Sequence, residues 1–92
     1  MEKIKEITPV YVDTMPEQAN METGKIYLSK KYPTAIHKCA CGCGEQVVTP
    51  LGEKGWKLTD QDGQISLSPS IGNWGFKCRS HYFIKDNKII WC

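Results

Sequence analysis

The run HKCACGCGE, residues 37–45, places Cys39, Cys41 and Cys43 within five positions, interleaved with small residues and preceded by His37. A second run, KCRSHY, supplies Cys78 and His81 three positions apart. Thiolate and imidazole are ligands that zinc prefers, four of them in a tetrahedron at about 2.3 Å from sulfur and about 2.0 Å from nitrogen. The chain must bend sharply to bring them around one ion, and Gly42 and Gly44 supply that bend. Cys41, Cys43, Cys78 and His81 are the first choice of ligands, with Cys39 next. Adding His37 and Cys92 makes seven candidates, too many for one tetrahedral zinc and enough for two. Cys92, as the last residue of the sequence, reads as a free thiol. His37 reads as a group that holds a ligand thiolate or a water by hydrogen bond.

The competing chemistries for these residues are weaker. Free cysteine is often a small core residue, but Cys-x-Cys-x-Cys with glycines is a poor core segment. Cys78 and His81 could form a nucleophile and its base, yet that leaves the other cluster unexplained. Metal accounts for both runs at once. Three thiolates and a neutral imidazole around a divalent ion leave a charge of about −1, and Lys38, Lys77 and Arg79 lie beside the ligands to ease thiol deprotonation.

The elements that must position these groups read as strands and turns. KIYLSKKY alternates β-branched and aromatic residues after Gly24, and EQVVTPL is a short strand ended by Pro50 and Gly52. GWKLTDQDGQISLSPSI is a hairpin, with Trp56 and Leu58 on one arm, Ile65 and Leu67 on the other, and turn residues from Asp60 to Gly63. HYFIKDNKIIWC repeats the pattern around Asp86 and Asn87, which tolerate positive φ. MPEQANM allows one helical turn with Pro16 at its start. The expected fold is a small, mostly-β single domain over residues 1–92, with β-hairpins organised around a Cys/His zinc site and residues 1–20 as a peripheral strand and loop.

Composition bounds the function. The chain has 92 residues, 40% apolar and 24% charged, which suits one folded domain whose core alone gives thin stability. A staple such as a metal is in keeping with that size. The start, MEKIKEITPVYV, carries Glu2, Lys3, Lys5 and Glu6 where a secretory leader needs an apolar core, and no stretch approaches the roughly 18 apolar residues of a membrane span. The expectation is a cytoplasmic protein without a membrane partner. In that compartment thiols stay reduced, and five cysteines fit a full set of disulfides badly. A net charge of +2 with scattered lysines does not call for nucleic acid.

The segments AIHKCACGCGEQVVTPL, GWKLT, SLSPSIGNWGFKCRSHYFI and the closing IIW together resemble a family of small bacterial proteins associated with ubiquitin-like conjugation systems. The likeness runs from about Ile7 to Trp91 and rests on CGCG at 41–44 and SHY at 80–82. It implies a Zn2+-binding protein whose partners are a ubiquitin-like modifier and its conjugation enzymes, and a zinc metallopeptidase that trims or removes that modifier. H-E-x-x-H is absent, so the helix-borne zinc peptidase pattern does not apply. A catalytic zinc would need an open position for water and a carboxylate to move protons. Glu22, before the KIYLS strand, is the candidate for that carboxylate; Glu45 is second, and His37 is the next group to consider. Ser80 or a backbone N–H near Gly75 is a candidate for the oxyanion. The alternatives are a non-catalytic zinc module that docks the conjugation enzymes and a zinc-ribbon-like nucleic-acid binder.

Two further segments invite a role. Trp74 lies between Gly72 and Gly75 and reads either as a displayed anchor for a partner's tail or, with slightly more weight, as a core residue. SKKY, residues 29–32, offers adjacent charges for an acidic modifier surface or simply for solubility.

Overall fold

A computed structural model describes residues 3–92 as two four-stranded sheets; Met1 and Glu2, the latter part of the leader argument, lie outside the described residues. The first sheet contains β1 (Thr8–Tyr11), β2 (Lys25–Ser29), β3 (Thr34–Lys38) and β4 (Gln46–Pro50) in that spatial order. β1 runs parallel to β2, and the other pairs are antiparallel. The second sheet is antiparallel throughout and contains β5 (Lys57–Gln61), β6 (Gln64–Gly72), β7 (His81–Lys85) and β8 (Lys88–Trp91). The one helical segment among the described residues is a single 3₁₀ turn, Gln18–Asn20, within the stretch read as a helical turn. The mostly-β expectation holds.

Local chemistry explains the hairpins. The β5–β6 turn has Asp62 and Gly63 at φ 54° and 89°, and the β7–β8 turn has Asp86 and Asn87 at 50° and 63°. Positive φ at both central residues gives the turn a twist that matches the strands it joins. The two tips are also tied together: Asn87 Nδ2 donates to the Gly63 carbonyl at 2.9 Å, and Asn87 Oδ1 accepts from the Ile65 N–H at 2.8 Å.

Strand alternation builds the core between the sheets. Ile26, Leu28, Ala35 and Val47 from the first sheet join Ile65, Leu67, Ile71, Tyr82, Ile84 and Ile89 from the second in one buried cluster. Full burial of each large aliphatic side chain stabilises by about 1.5–3 kcal/mol. The other face of the first sheet carries Tyr27 and Ile36, packed with Val10 of β1 and with Val12, Met15 and Met21 from the segment between β1 and β2. A polar contact crosses the core: His37 Nε2 lies 2.7 Å from Tyr82 Oη, joining β3 to β7.

Two irregularities position the chemistry. The chain leaving β3 carries Cys39, Cys41 and Cys43, while the chain entering β7 carries Cys78, so both thiol-bearing segments flank strands that the His37–Tyr82 contact already links. Between β6 and β7 the register runs from Leu67↔Ile84 to Ile71↔Tyr82, a bulge that sets Ser68, Pro69 and Ser70 against Phe83. Bulges of this kind re-aim a side chain away from the regular alternation.

Candidate metal centre and candidate active site

The ligand atoms of Cys39, Cys41, Cys43 and Cys78 all lie within 4.8 Å of one another, and the group could hold a metal ion. Three of the sulfur separations are 3.4 Å (Cys39–Cys41), 3.7 Å (Cys39–Cys78) and 3.9 Å (Cys43–Cys78). A tetrahedron with metal–sulfur bonds of about 2.3 Å has edges of about 3.8 Å, so the spacing suits a four-thiolate site. Gly42 and Gly44, at φ 88° and 85°, reverse the chain between the ligands, and the Gly42 N–H donates to the Cys39 carbonyl at 3.0 Å. The thiols have hydrogen-bond donors of their own. The Cys43 N–H donates to Cys41 Sγ at 3.3 Å, and Asn73 Nδ2 donates to Cys39 Sγ at 3.5 Å. Ser80 Oγ lies 2.9 Å from Cys39 Sγ and 3.4 Å from Cys78 Sγ. The hydrogen bond with Ser80 brings the Cys78 thiol down to about 6, whereas burial pushes the thiols of Cys41 and Cys43 up. A bound cation would offset that cost, since it binds the thiolate and so favours the deprotonated form.

The sequence-derived ligand set is thereby redrawn. Cys39, ranked behind His81, is fully buried within the thiol group. His81 stands outside that group, its Nε2 2.8 Å from Ser70 Oγ. His37 does not hold a thiolate: it bonds to Tyr82, its Nδ1 has no partner, and burial holds it well below the usual histidine range, at about 4. Cys92 is exposed and separate from the cluster. Glu22 is exposed, and its carboxylate pairs with Lys25 Nζ at 2.5 Å, which holds its carboxyl below the usual glutamate range. Glu45 is exposed beside the thiol loop, where its carbonyl accepts from the Cys39 N–H at 2.8 Å. Ser80, considered for an oxyanion, is buried and turned to Cys39 and Asn73.

The Ser70–His81 pair was not read from the sequence. A serine hydroxyl within 2.8 Å of an imidazole nitrogen is the arrangement in which the ring can take the hydroxyl proton as oxygen attacks a carbonyl. The bulge places Ser70 at a half-buried position, and His81 opens β7 at a similar depth. Trp56 Nε1 donates to the Ser70 carbonyl at 3.3 Å, fixing the backbone behind the hydroxyl. Trp56 also lines an apolar cavity of about 610 Å³ with Pro33, Leu51, Leu58 and Ser68, so the cavity reaches within two residues of Ser70. Trp74, weighed as a core residue, is instead 63% exposed and packs on His81, with ring centroids 5.1 Å apart. The signal that could have revealed the pair is strand alternation in HYFI, which puts His81 and Phe83 on the outer face and Tyr82 and Ile84 in the core.

No curated protein and no solved structure gives a match to this chain. A family model described as bacterial ubiquitination-like system serine protease, BubE, matches residues 11–92. That description agrees with the expected setting in a ubiquitin-like system and overturns the expected zinc metallopeptidase, because the family's protease class is defined by a serine. The role given to Glu22 depended on a metal-bound water and goes with that expectation. With the match spanning nearly the whole sequence, the chain belongs to the family of bacterial ubiquitination-like system serine proteases.

Proposed function

We propose that the protein is a serine peptidase that cleaves at the C-terminal end of a ubiquitin-like modifier, with Ser70 as nucleophile and His81 as general base. The carrying observation is the 2.8 Å contact between Ser70 Oγ and His81 Nε2 on an open face of the second sheet. Ser80 is a poor rival, being buried and committed to Cys39 and Asn73. In the first half-reaction Ser70 Oγ attacks the scissile carbonyl while His81 takes its proton. His81 then gives that proton to the departing amine, leaving an acyl ester on Ser70. Water, deprotonated by the same ring, releases the acyl group and restores the hydroxyl. The apolar cavity lined by Pro33, Leu51, Trp56 and Leu58 suits an apolar side chain of the modifier's tail.

Cys39, Cys41, Cys43 and Cys78 are assigned to zinc, the ion that four thiolates at tetrahedral spacing favour in structural sites. When bound, the ion supplies folding energy and ties the loop after β3 to the entry of β7; four protein ligands leave no position for substrate. Ser80, within hydrogen-bond reach of Cys39 and Cys78, adjoins His81 in sequence, so the thiol group anchors the strand that carries the base. The test is cleavage of the modifier from the protein's own pathway, fused through its C-terminus to a reporter. Ser70→Ala and His81→Ala should each abolish cleavage while leaving metal content unchanged. Full activity in Ser70→Ala would refute the assignment.

A further inference from the structure

The second nitrogen of a catalytic imidazole usually needs a partner that fixes the ring and favours its charged form, most often a carboxylate. Among the described residues no carboxylate forms a hydrogen bond or ion pair with His81; its surroundings are aromatic instead. Trp74 lies at 5.1 Å between ring centroids with the planes at 57°, and Phe83, two residues along β7, lies at 6.4 Å. The route by which Trp74 reaches the imidazole is specific. Gly72 pairs directly with His81 across β6 and β7, and the indole folds back over the gap that Gly72 leaves. A Cβ at Gly72 would stand 2.6 Å from Trp74 Nε1, so any side chain there would displace the indole.

We propose that Trp74 is the positioning residue for His81, holding the ring toward Ser70 and offering its π face to the imidazolium that forms during acyl transfer. The inference rests on the Ser70–His81 reading above. A cation within about 6 Å of an indole centroid is attracted by the negative face of the ring, and tryptophan is the strongest of the aromatic residues in this respect. The exposure of Trp74 fits this role: the indole packs on the imidazole at a tilt of 57° while most of its surface remains in solvent. Phe83 completes the row on the strand side, where its own exposure leaves it free to pack beside the ring.

The experiment measures kcat and KM on the modifier–reporter fusion for Trp74→Ala, Trp74→Leu, Trp74→Phe and Gly72→Ala, each checked for metal content and melting temperature. Trp74→Ala and Trp74→Leu should lower kcat by about 10²-fold, the scale of a misplaced catalytic group, with KM within about twofold of the parent. Trp74→Phe should recover most of the loss. Gly72→Ala should reproduce the loss with Trp74 still present, because it moves the indole rather than deleting it. A rise in KM at unchanged kcat would make Trp74 a substrate contact and overturn the proposal. Equal activity of the Leu and Phe variants would also overturn it, leaving volume and not the π face as the requirement. Ser70→Ala, run alongside, separates the two readings: if it stays active the dyad fails, and if it is dead while Trp74→Ala matches the parent, only the role of Trp74 fails.

Discussion

Replacing Tyr82 by Phe removes one oxygen from the centre of the molecule and tests the polar links that its hydroxyl makes, with His37 Nε2 and with the Ala40 N–H, which donates to it at 3.4 Å. Tyr82 and His37 are both 0% exposed, and their 2.7 Å contact satisfies the one ring nitrogen of His37 that has a partner. The aromatic edge contact of residue 82 with Trp91, at 5.0 Å between centroids, survives in Phe, so the change is close to a pure deletion of the hydroxyl. A buried polar group left without a partner costs about 1–3 kcal/mol. For a domain of this size each kcal/mol moves the midpoint by about 4–8 °C, giving an expected fall in melting temperature of about 5–20 °C. The second half of the prediction is an asymmetry. Replacing both partners, as His37→Phe with Tyr82→Phe, removes the stranded nitrogen together with its lost oxygen and should cost less than the two single changes added together, by at least about 1 kcal/mol. The assay is urea denaturation of the metal-loaded proteins at neutral pH, followed by tryptophan fluorescence. A Tyr82→Phe cost under about 0.5 kcal/mol, or single costs that simply add, would show that the contact does not support the core.

Metal analysis of purified variants should show sharp loss of zinc in Cys39→Ser, Cys41→Ser, Cys43→Ser and Cys78→Ser, and unchanged content in His81→Ala and Cys92→Ser; retained zinc in any of the four would remove that ligand from the set. Chelation should unfold the domain, because structural zinc contributes on the order of 10 kcal/mol, comparable with the whole stability expected of a chain this long; a chelated protein that keeps its near-ultraviolet circular dichroism would show otherwise. The hydrogen bond from Tyr11 to Asp60 joins the edge of the first sheet to β5 and holds the Asp60 carboxyl below the usual aspartate range. Its stabilisation is present above the unfolded aspartate value near 4 and is lost as pH falls through the lower folded value. Tyr11→Phe should therefore shrink the difference in urea midpoint between pH 6 and pH 3, and an unchanged difference would count against the bond.

What the sequence made legible follows from how local each signal is. Asp62–Gly63 and Asp86–Asn87 dictate their turns through backbone preference alone, so both hairpins of the second sheet could be read directly. β3 was harder, because Thr34–Lys38 merges into the thiol run and its pairing with β2 and β4 depends on distant partners. The thiol cluster was legible because cysteine and glycine at close spacing have few other uses. His81 was grouped with the thiols for the same reason: three residues from Cys78 it has a ligand's spacing, while the neighbour the structure gives its Nε2, Ser70, comes from another strand through a register shift that no local pattern displays. Trp74 was misjudged because apolar character predicts burial on average, whereas here Gly72 opens a seat on the outer surface.

The central claim, that Ser70 is the nucleophile, is tested most directly by treating the folded, zinc-loaded protein with a fluorophosphonate and locating the adduct by peptide mass spectrometry. Ser70 Oγ should displace fluoride at phosphorus and carry the whole label, and labelling should vanish in His81→Ala, whose serine lacks its base. An adduct on Ser80, or no adduct in a preparation that cleaves the modifier fusion, would contradict the account.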